Sequence, residues 1–237
     1  MLGQSISKNS LILGAFAAVT AAIIAITFQS TKERITTQER KAASAALIEM
    51  IPTHRHNNDM LSDVLTLNTQ DSHALGFTAP VDLHIAKQDG NIVALVIPAL
   101  AHDGYSGDIK MVIAVNIDGT LAGVRVLSHK ETPGLGDKID LRKSPWIHSF
   151  EAKSLSQPAA SLWAVKKDGG EFDQFTGATI TPRAVVKRVK QTLALFRTHK
   201  STWLTRARAI ESTPSSTLTH SPMTHSTPKR QAGVTHE

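Results

Sequence analysis

The chain has 237 residues, a formal net charge of +6, no cysteine, and 19% charged against 41% hydrophobic residues. Without cysteine there is no disulfide, no thiolate nucleophile and no thiolate ligand for an iron–sulfur cluster. The hydrophobic share suffices for one packed domain with appendages. Lys and Arg are dispersed rather than clustered, which excludes a nucleic-acid-binding stripe.

After a short lead (residues 1–10), Leu11 to Phe28 runs without a charge. At about 1.5 Å per helical residue this stretch nearly spans a hydrocarbon core of about 30 Å. Thr20 and Thr27 can return hydrogen bonds to their own helix. No small-residue cleavage site follows Phe28, against a signal peptide, and no polar stripe is present, against a buried soluble helix. The stretch is therefore predicted to be an uncleaved membrane anchor. Lys8 precedes it, and Lys32, Arg34, Arg40 and Lys41 follow it. Basic-residue counting alone would place the C-terminal side in the cytoplasm, although long domains translocate largely regardless of charge.

Residues 31–51 are predicted to be helical, with Ala43, Ala46, Leu47 and Met50 on one face and Pro52 ending the run. This helix continues the anchor and stands the domain off the bilayer; residues 29–80 are read as juxtamembrane helix and connector. His54 and His56 form a loop pair without the rest of a metal-ligand set.

From Val81 the period changes to that of strands. "VDLHIAKQDGNIVALVIP" reads as two strands around Asp89-Gly90-Asn91. Ile109–Asn116 and Leu121–Ser128 flank a second turn at Asp118-Gly119. "KSPWIHSFEAK" is expected to be helical after Pro145, and "SLWAVKK" to be a further strand. Residues 182–204 place Val185, Val189, Leu193 and Phe196 on one helical face. The fold class is α+β: an antiparallel sheet with packed helices over residues 81–205. Residues 206–237 are rich in Ser, Thr, Pro and His with almost no large apolar residue, and are expected to be disordered.

"DQFTGAT", Asp173 to Thr179, ends in a threonine with no histidine or lysine beside it to activate the hydroxyl. Thr181-Pro182 reads as an N-cap followed by proline at the first helical position. Thr179 then lies before a helix N-terminus, where unpaired N–H groups and the dipole favour an anion. Such a threonine suits an acceptor of a group attached by another enzyme; a plain loop and cap is the other reading of the same residues.

The longer string "DGGEFDQFTGATITP" resembles the flavinylation site of the FMN-binding domain family, Asp-x-x-Ser/Thr-Gly-Ala-Thr. Asp173, Thr176, Gly177, Ala178 and Thr179 match every specified position. "DGYSGDIKMVIAVNIDGTLAGVRVLSHKETPGLGDKI" is similar to the family's Gly-Tyr-x-Gly entry, hairpin and Glu-Thr-Pro-Gly-Leu-Gly loop. Within the family the chain is most similar to G-type subunits of Rnf/Rsx-type ion-translocating electron transport complexes. The C-type subunit of sodium-translocating NADH–quinone reductases shares the domain.

The resemblance implies FMN joined through its phosphate to Thr179, FAD as the donor, and a separate flavin transferase as the maturation partner. It further implies the other subunits of such a complex as partners, a bacterial inner-membrane location and a periplasmic flavin domain, against the basic-residue count. Glu131, Thr132, Gly134, Leu135 and Gly136 are the candidates for the loop against the flavin, the two glycines permitting close approach; a plain surface turn is the other reading. Tyr105 and Trp146 are expected first as core aromatics and second as stacking partners of the ring. Lys166 and Lys167 face either the phosphate or solvent. The implied role is an electron carrier with no complete active site of its own. The competing classes are a membrane-tethered flavin-binding sensory module and a structural subunit.

Overall fold

The computed structural model describes residues 2–211. Helix α1 (Leu2–Met50) is continuous. Within its Asn9–Lys32 stretch an 18-residue window has a mean hydropathy of 2.5 and no buried residue, so the stretch is long and apolar enough to cross a membrane. The stretch exceeds the predicted Leu11–Phe28 because polar residues at both ends, Asn9 and Ser10 before it and Gln29 to Lys32 after it, stay in the helix. The Thr20 hydroxyl donates to the Phe16 carbonyl at 2.9 Å and that of Thr27 to Ile23 at 2.8 Å.

Strand β1 (Val64–Thr66) and helix α2 (Thr69–Ala74) follow. Then come β2 (Asp82–Gln88), β3 (Asn91–Ala101), β4 (Ile109–Asn116) and β5 (Leu121–Ser128). The five strands form one antiparallel sheet in the order β1-β2-β3-β4-β5. Both predicted hairpins are present. The sheet nevertheless begins at Val64 rather than Val81: β1 is three residues long, too short to show a period, and is held by pairing Val64 with His84 and Thr66 with Asp82.

Each face of the sheet buries a different helix. Leu95, Ile97 and Ala99 of β3 and Met111, Ile113 and Val115 of β4 share one core with Val185, Val189, Leu193 and Phe196 of the last helix, α3 (Ile180–Glu211). The alternate residues Ala94, Val96, Val112 and Ala114 meet Ala46, Leu47 and Met50 of α1, together with Ile51. From Ala46 to Met50 the predicted apolar face therefore packs on the sheet itself.

Two predictions differ in type. Pro145–Phe150 is a 3-10 helix, with the Ser144 hydroxyl accepting from the Trp146 N–H at 3.2 Å. "SLWAVKK" is not a strand but two 3-10 turns, Ala160–Leu162 and Lys166–Asp168, with one isolated bridge between Val165 and Phe172. Trp163 and Val165 are both buried, and that alternation in an irregular segment imitates a strand. The expected tail boundary at 206 also shifts. α3 continues to Glu211 because Ala207 is fully buried and Arg206 donates to the Thr66 carbonyl at 2.8 Å. The remainder of the tail, 212–237, lies outside the described residues.

Candidate functional site

A cavity of about 290 Å³ opens where three segments meet: the β3–β4 loop at Tyr105, the Glu131–Gly136 loop, and Gly177–Thr181 at the start of α3. Its lining includes Glu131, Thr132, Leu135, Gly136, Gly177, Ala178 and Thr179. Seven of the ten residues singled out in the sequence thus converge from two segments 41 or more residues apart in numbering. Thr176, Gly134 and Asp173 are not in the lining. Gly134 is a positive-φ turn residue (φ 78°) in open space, so its place in the loop is the turn itself. Asp173 pairs with Lys166 at 2.6 Å on the surface, which places Lys166 on a carboxylate. The Lys167 backbone N–H donates to the Gln174 side chain at 3.1 Å.

Thr179 is half-buried and immediately precedes α3. Its carbonyl accepts from the Arg183 N–H at 3.3 Å. Among the described residues no group hydrogen-bonds its hydroxyl. Gly177, at φ 81°, turns the chain into the helix with only the Leu135 side chain near where a Cβ would stand, at 3.5 Å. The helix start therefore leaves an unpartnered hydroxyl beside backbone N–H groups that have no intrahelical acceptor. Pro182 contributes none, so Thr179, Ile180 and Thr181 supply them.

Thr181 does not cap the helix as its sequence position suggests. The helix starts two residues before the expected Pro182, at Ile180, and the fully buried Thr181 hydroxyl donates to Glu131 Oε2. The other Glu131 oxygen accepts from the Ser106 N–H at 2.9 Å. Glu131, only 4% exposed, thereby ties the Tyr105 loop to the first turn of α3. Gly136 is required by this clamp: a Cβ there would stand 2.8 Å from the Thr181 hydroxyl oxygen and 3.0 Å from Glu131 Oε2. Its close approach here is to the carboxylate and the Thr181 hydroxyl.

The rim is apolar. Tyr105 is 67% exposed, Ile180 46% and Leu135 41%. Tyr105 is thus no core residue; the Gly-Tyr-Ser-Gly stretch is a loop that projects the phenol. Trp146 behaves as the core expectation held, packing edge-on against Phe150 and Phe175 and donating to the Asp173 carbonyl at 2.8 Å. Sequence reasoning missed Ile180 and the lining role of Thr181. Ile180 carried no signal, and Thr181 signalled only a helix cap.

Charged groups brace the site from outside. Arg183 forks onto Asp168 at 2.6 and 2.5 Å. That hydrogen bond holds the Asp168 carboxyl below its ordinary range and Arg183 above its own. Lys187 pairs with Asp103 at 2.7 Å, tying α3 to the Tyr105 loop. His102, at the base of that loop, meets Asp108 and the Gly76 carbonyl at 2.8 Å each. Two acceptors on two ring nitrogens require the doubly protonated ring, and the Asp108 hydrogen bond raises its pKa.

The family model of the FMN-binding domain matches residues 104–194, and that of the RnfG N-terminal region matches residues 1–50. Relatives named as the G subunit of an ion-translocating oxidoreductase complex are similar over nearly the whole chain. The one from Shewanella loihica is 46% identical over 88% of this chain and 97% of its own length. The one from Pseudoalteromonas atlantica is 49% identical over 83% of this chain and 91% of its own. That from Vibrio vulnificus is 49% identical over 83% and 92%. This chain belongs to the family of G subunits of ion-translocating oxidoreductase complexes. The 104–194 match covers both the Tyr105 loop and the Thr179 turn, so the cavity falls within the FMN-binding domain of that family.

Proposed function

We propose that this chain is a membrane-anchored electron-transfer subunit of an ion-translocating oxidoreductase complex, with FMN attached through its phosphate to Thr179 and the domain on the periplasmic side of a bacterial inner membrane. One observation carries the reading. Thr179 presents an unpartnered hydroxyl to a cavity at the start of a 32-residue helix. The residues suit the group at both ends. A phosphodiester retains one negative charge, which the free N–H groups and dipole of the first turn favour. Tyr105, Leu135 and Ile180 offer a planar ring an apolar rim.

The chain does not attach the group unaided. The one carboxylate in the lining, Glu131, has both oxygens engaged and is no free base for Thr179. A separate transferase fits this. In the step implied by the family resemblance, the Thr179 Oγ1–phosphorus bond forms and the pyrophosphate bond of FAD breaks. AMP leaves, and the transferase takes the hydroxyl proton. Thr181, the rival acceptor in the helix, is buried and already donates its proton to Glu131. Bound flavin supplies one-electron redox chemistry; this chain holds and orients it. The similarity to G subunits over most of the chain favours a G-type over a C-type subunit.

The test is a denaturing gel under ultraviolet light with peptide mapping. The full chain shows a fluorescent band with the flavin on the Thr179 peptide. Thr179→Ala loses the band and changes stability by less than about 0.5 kcal/mol. A fluorescent band in Thr179→Ala, or flavin mapped to Thr176 or Thr181, would sink the assignment. Alkaline phosphatase fused after Glu211 is active if the domain is periplasmic and inactive if it is not.

A further inference from the structure

Gly123 lies on β5 beneath the last turn of α1. A Cβ on Gly123 would stand 2.8 Å from Met50 Cγ and 3.3 Å from Met50 Cβ. The helix therefore rests on the sheet at a distance only glycine permits. Around that contact Ala86, Ala94 and Ala114 keep the sheet surface low under Leu47 and Met50. At the edge Arg125, with a side chain 5% exposed, bonds Glu49 of α1 at 3.3 Å and lies 3.6 Å from Glu151. A buried guanidinium that loses a carboxylate partner is strongly destabilised, so Glu49 keeps the last turn of α1 in register with the sheet.

The same helix carries the candidate span. It runs unbroken from Leu2 to Met50, with no proline. From Lys32, where the apolar stretch ends, to Ala46, which is buried on the sheet, it rises about 20 Å at about 1.5 Å per residue. A swinging domain calls for a Gly- or Ser-rich linker at this point, and the sequence there is "KERITTQERKAASA".

We infer that α1 is a rigid arm docked on the sheet, with Gly123 and Arg125 as positioning residues that hold the Thr179 cavity at one height and one rotational setting relative to the membrane. The functional consequence rests on the electron-transfer reading above. Electron transfer between separated centres falls exponentially with distance, so a fixed arm sets one working distance and rules out a domain that shuttles between partners.

The chain has no native cysteine, which allows a clean lock. Met50→Cys with Gly123→Cys places two thiols on Cβ atoms near the short edge of the disulfide range, about 3.5–4.5 Å. The full chain is expressed with its complex in native membranes. Oxidation is expected to give a nearly complete intramolecular cross-link. Oxidation of reduced methyl viologen, above membranes lacking this chain, stays within about twofold of the same variant after reduction of the disulfide. A cross-link that does not form, or turnover that falls further when locked and returns on reduction, overturns the inference.

A second variant leaves the docking surface untouched. Two alanines inserted after Gln38 turn the domain by about 200° about the arm and raise it by about 3 Å. Turnover is expected to fall more than tenfold with the fluorescent band retained. Undiminished turnover overturns the rigid arm. Absence of the band from the unmodified chain, with the cross-link forming normally, counts against the flavin reading and leaves the docking intact.

Discussion

The two faces of the sheet are built from different materials. Toward α3 the strands present Leu95, Ile97, Met111, Ile113 and Val115; toward α1 they present Ala94, Val96, Val112, Ala114 and Gly123. Large side chains on the first face bury area, and buried apolar area is the main source of folding free energy, about 25 cal/mol per Å². Small side chains on the second face bury less but admit a helix close to the backbone. One face holds the domain together and seats the helix that begins at the cavity. The other seats the helix that carries the candidate membrane span.

The comparison breaks most readily on the large-residue face. Ile113→Ala is expected to cost about 2–5 kcal/mol through lost transfer energy and a residual cavity. Val112→Ala, its neighbour facing α1, removes fewer carbons at a margin of the core and should cost less, about 1–2 kcal/mol. Urea unfolding of the detergent-purified chain, followed by tryptophan fluorescence, ranks the two. Equal costs would mean that the faces do not divide the work as described.

On the small-residue face the sensitivity lies in added volume. Gly123→Val is expected to cost about 1–3 kcal/mol by overpacking against Met50. Met50→Ala should recover part of that loss, giving a double-variant cost below the sum of the single ones. Strict additivity would show that Met50 is not what Gly123 accommodates.

At the cavity, Glu131→Ala leaves the Ser106 N–H and the Thr181 hydroxyl without their acceptor. A cost of about 1–3 kcal/mol is expected, together with reduced flavin loading as the Tyr105 loop and α3 start come apart. Unchanged loading with normal stability would remove Glu131 from the site.

The smallest effect is at His102. Its folded pKa is raised above 6.5, first by the Asp108 hydrogen bond and then by the Gly76 carbonyl, with Arg188 opposing. The stability it adds is therefore full below about pH 6.5 and is lost as the pH rises through the raised value. His102→Asn should lower the melting temperature slightly near pH 6 and leave it unchanged near pH 9. A larger loss at the alkaline end would reverse the assignment of the charged ring.

The sequence by itself determined the features that depend on local pattern. The uncharged run Leu11–Phe28, the two hairpins around Asp89-Gly90 and Asp118-Gly119, and the apolar stripe Val185–Phe196 each signal through spacing that neighbouring residues impose. The segments Asp173–Thr179 and Glu131–Gly136 were singled out by their resemblance to strings of the FMN-binding domain family, not by periodicity. Only the tertiary structure decided which of those residues share a cavity. It left Gly134, Asp173 and Thr176 outside the lining, brought Tyr105 to the rim, and turned Thr181 from a helix cap into a partner of Glu131. It also gave β1 a place at the sheet edge and made Gly123 the seat of α1. These outcomes depend on contacts between segments far apart in the chain. A single glycine or threonine carries no periodic signal to announce such a contact, because its role is fixed by the atom that arrives opposite it.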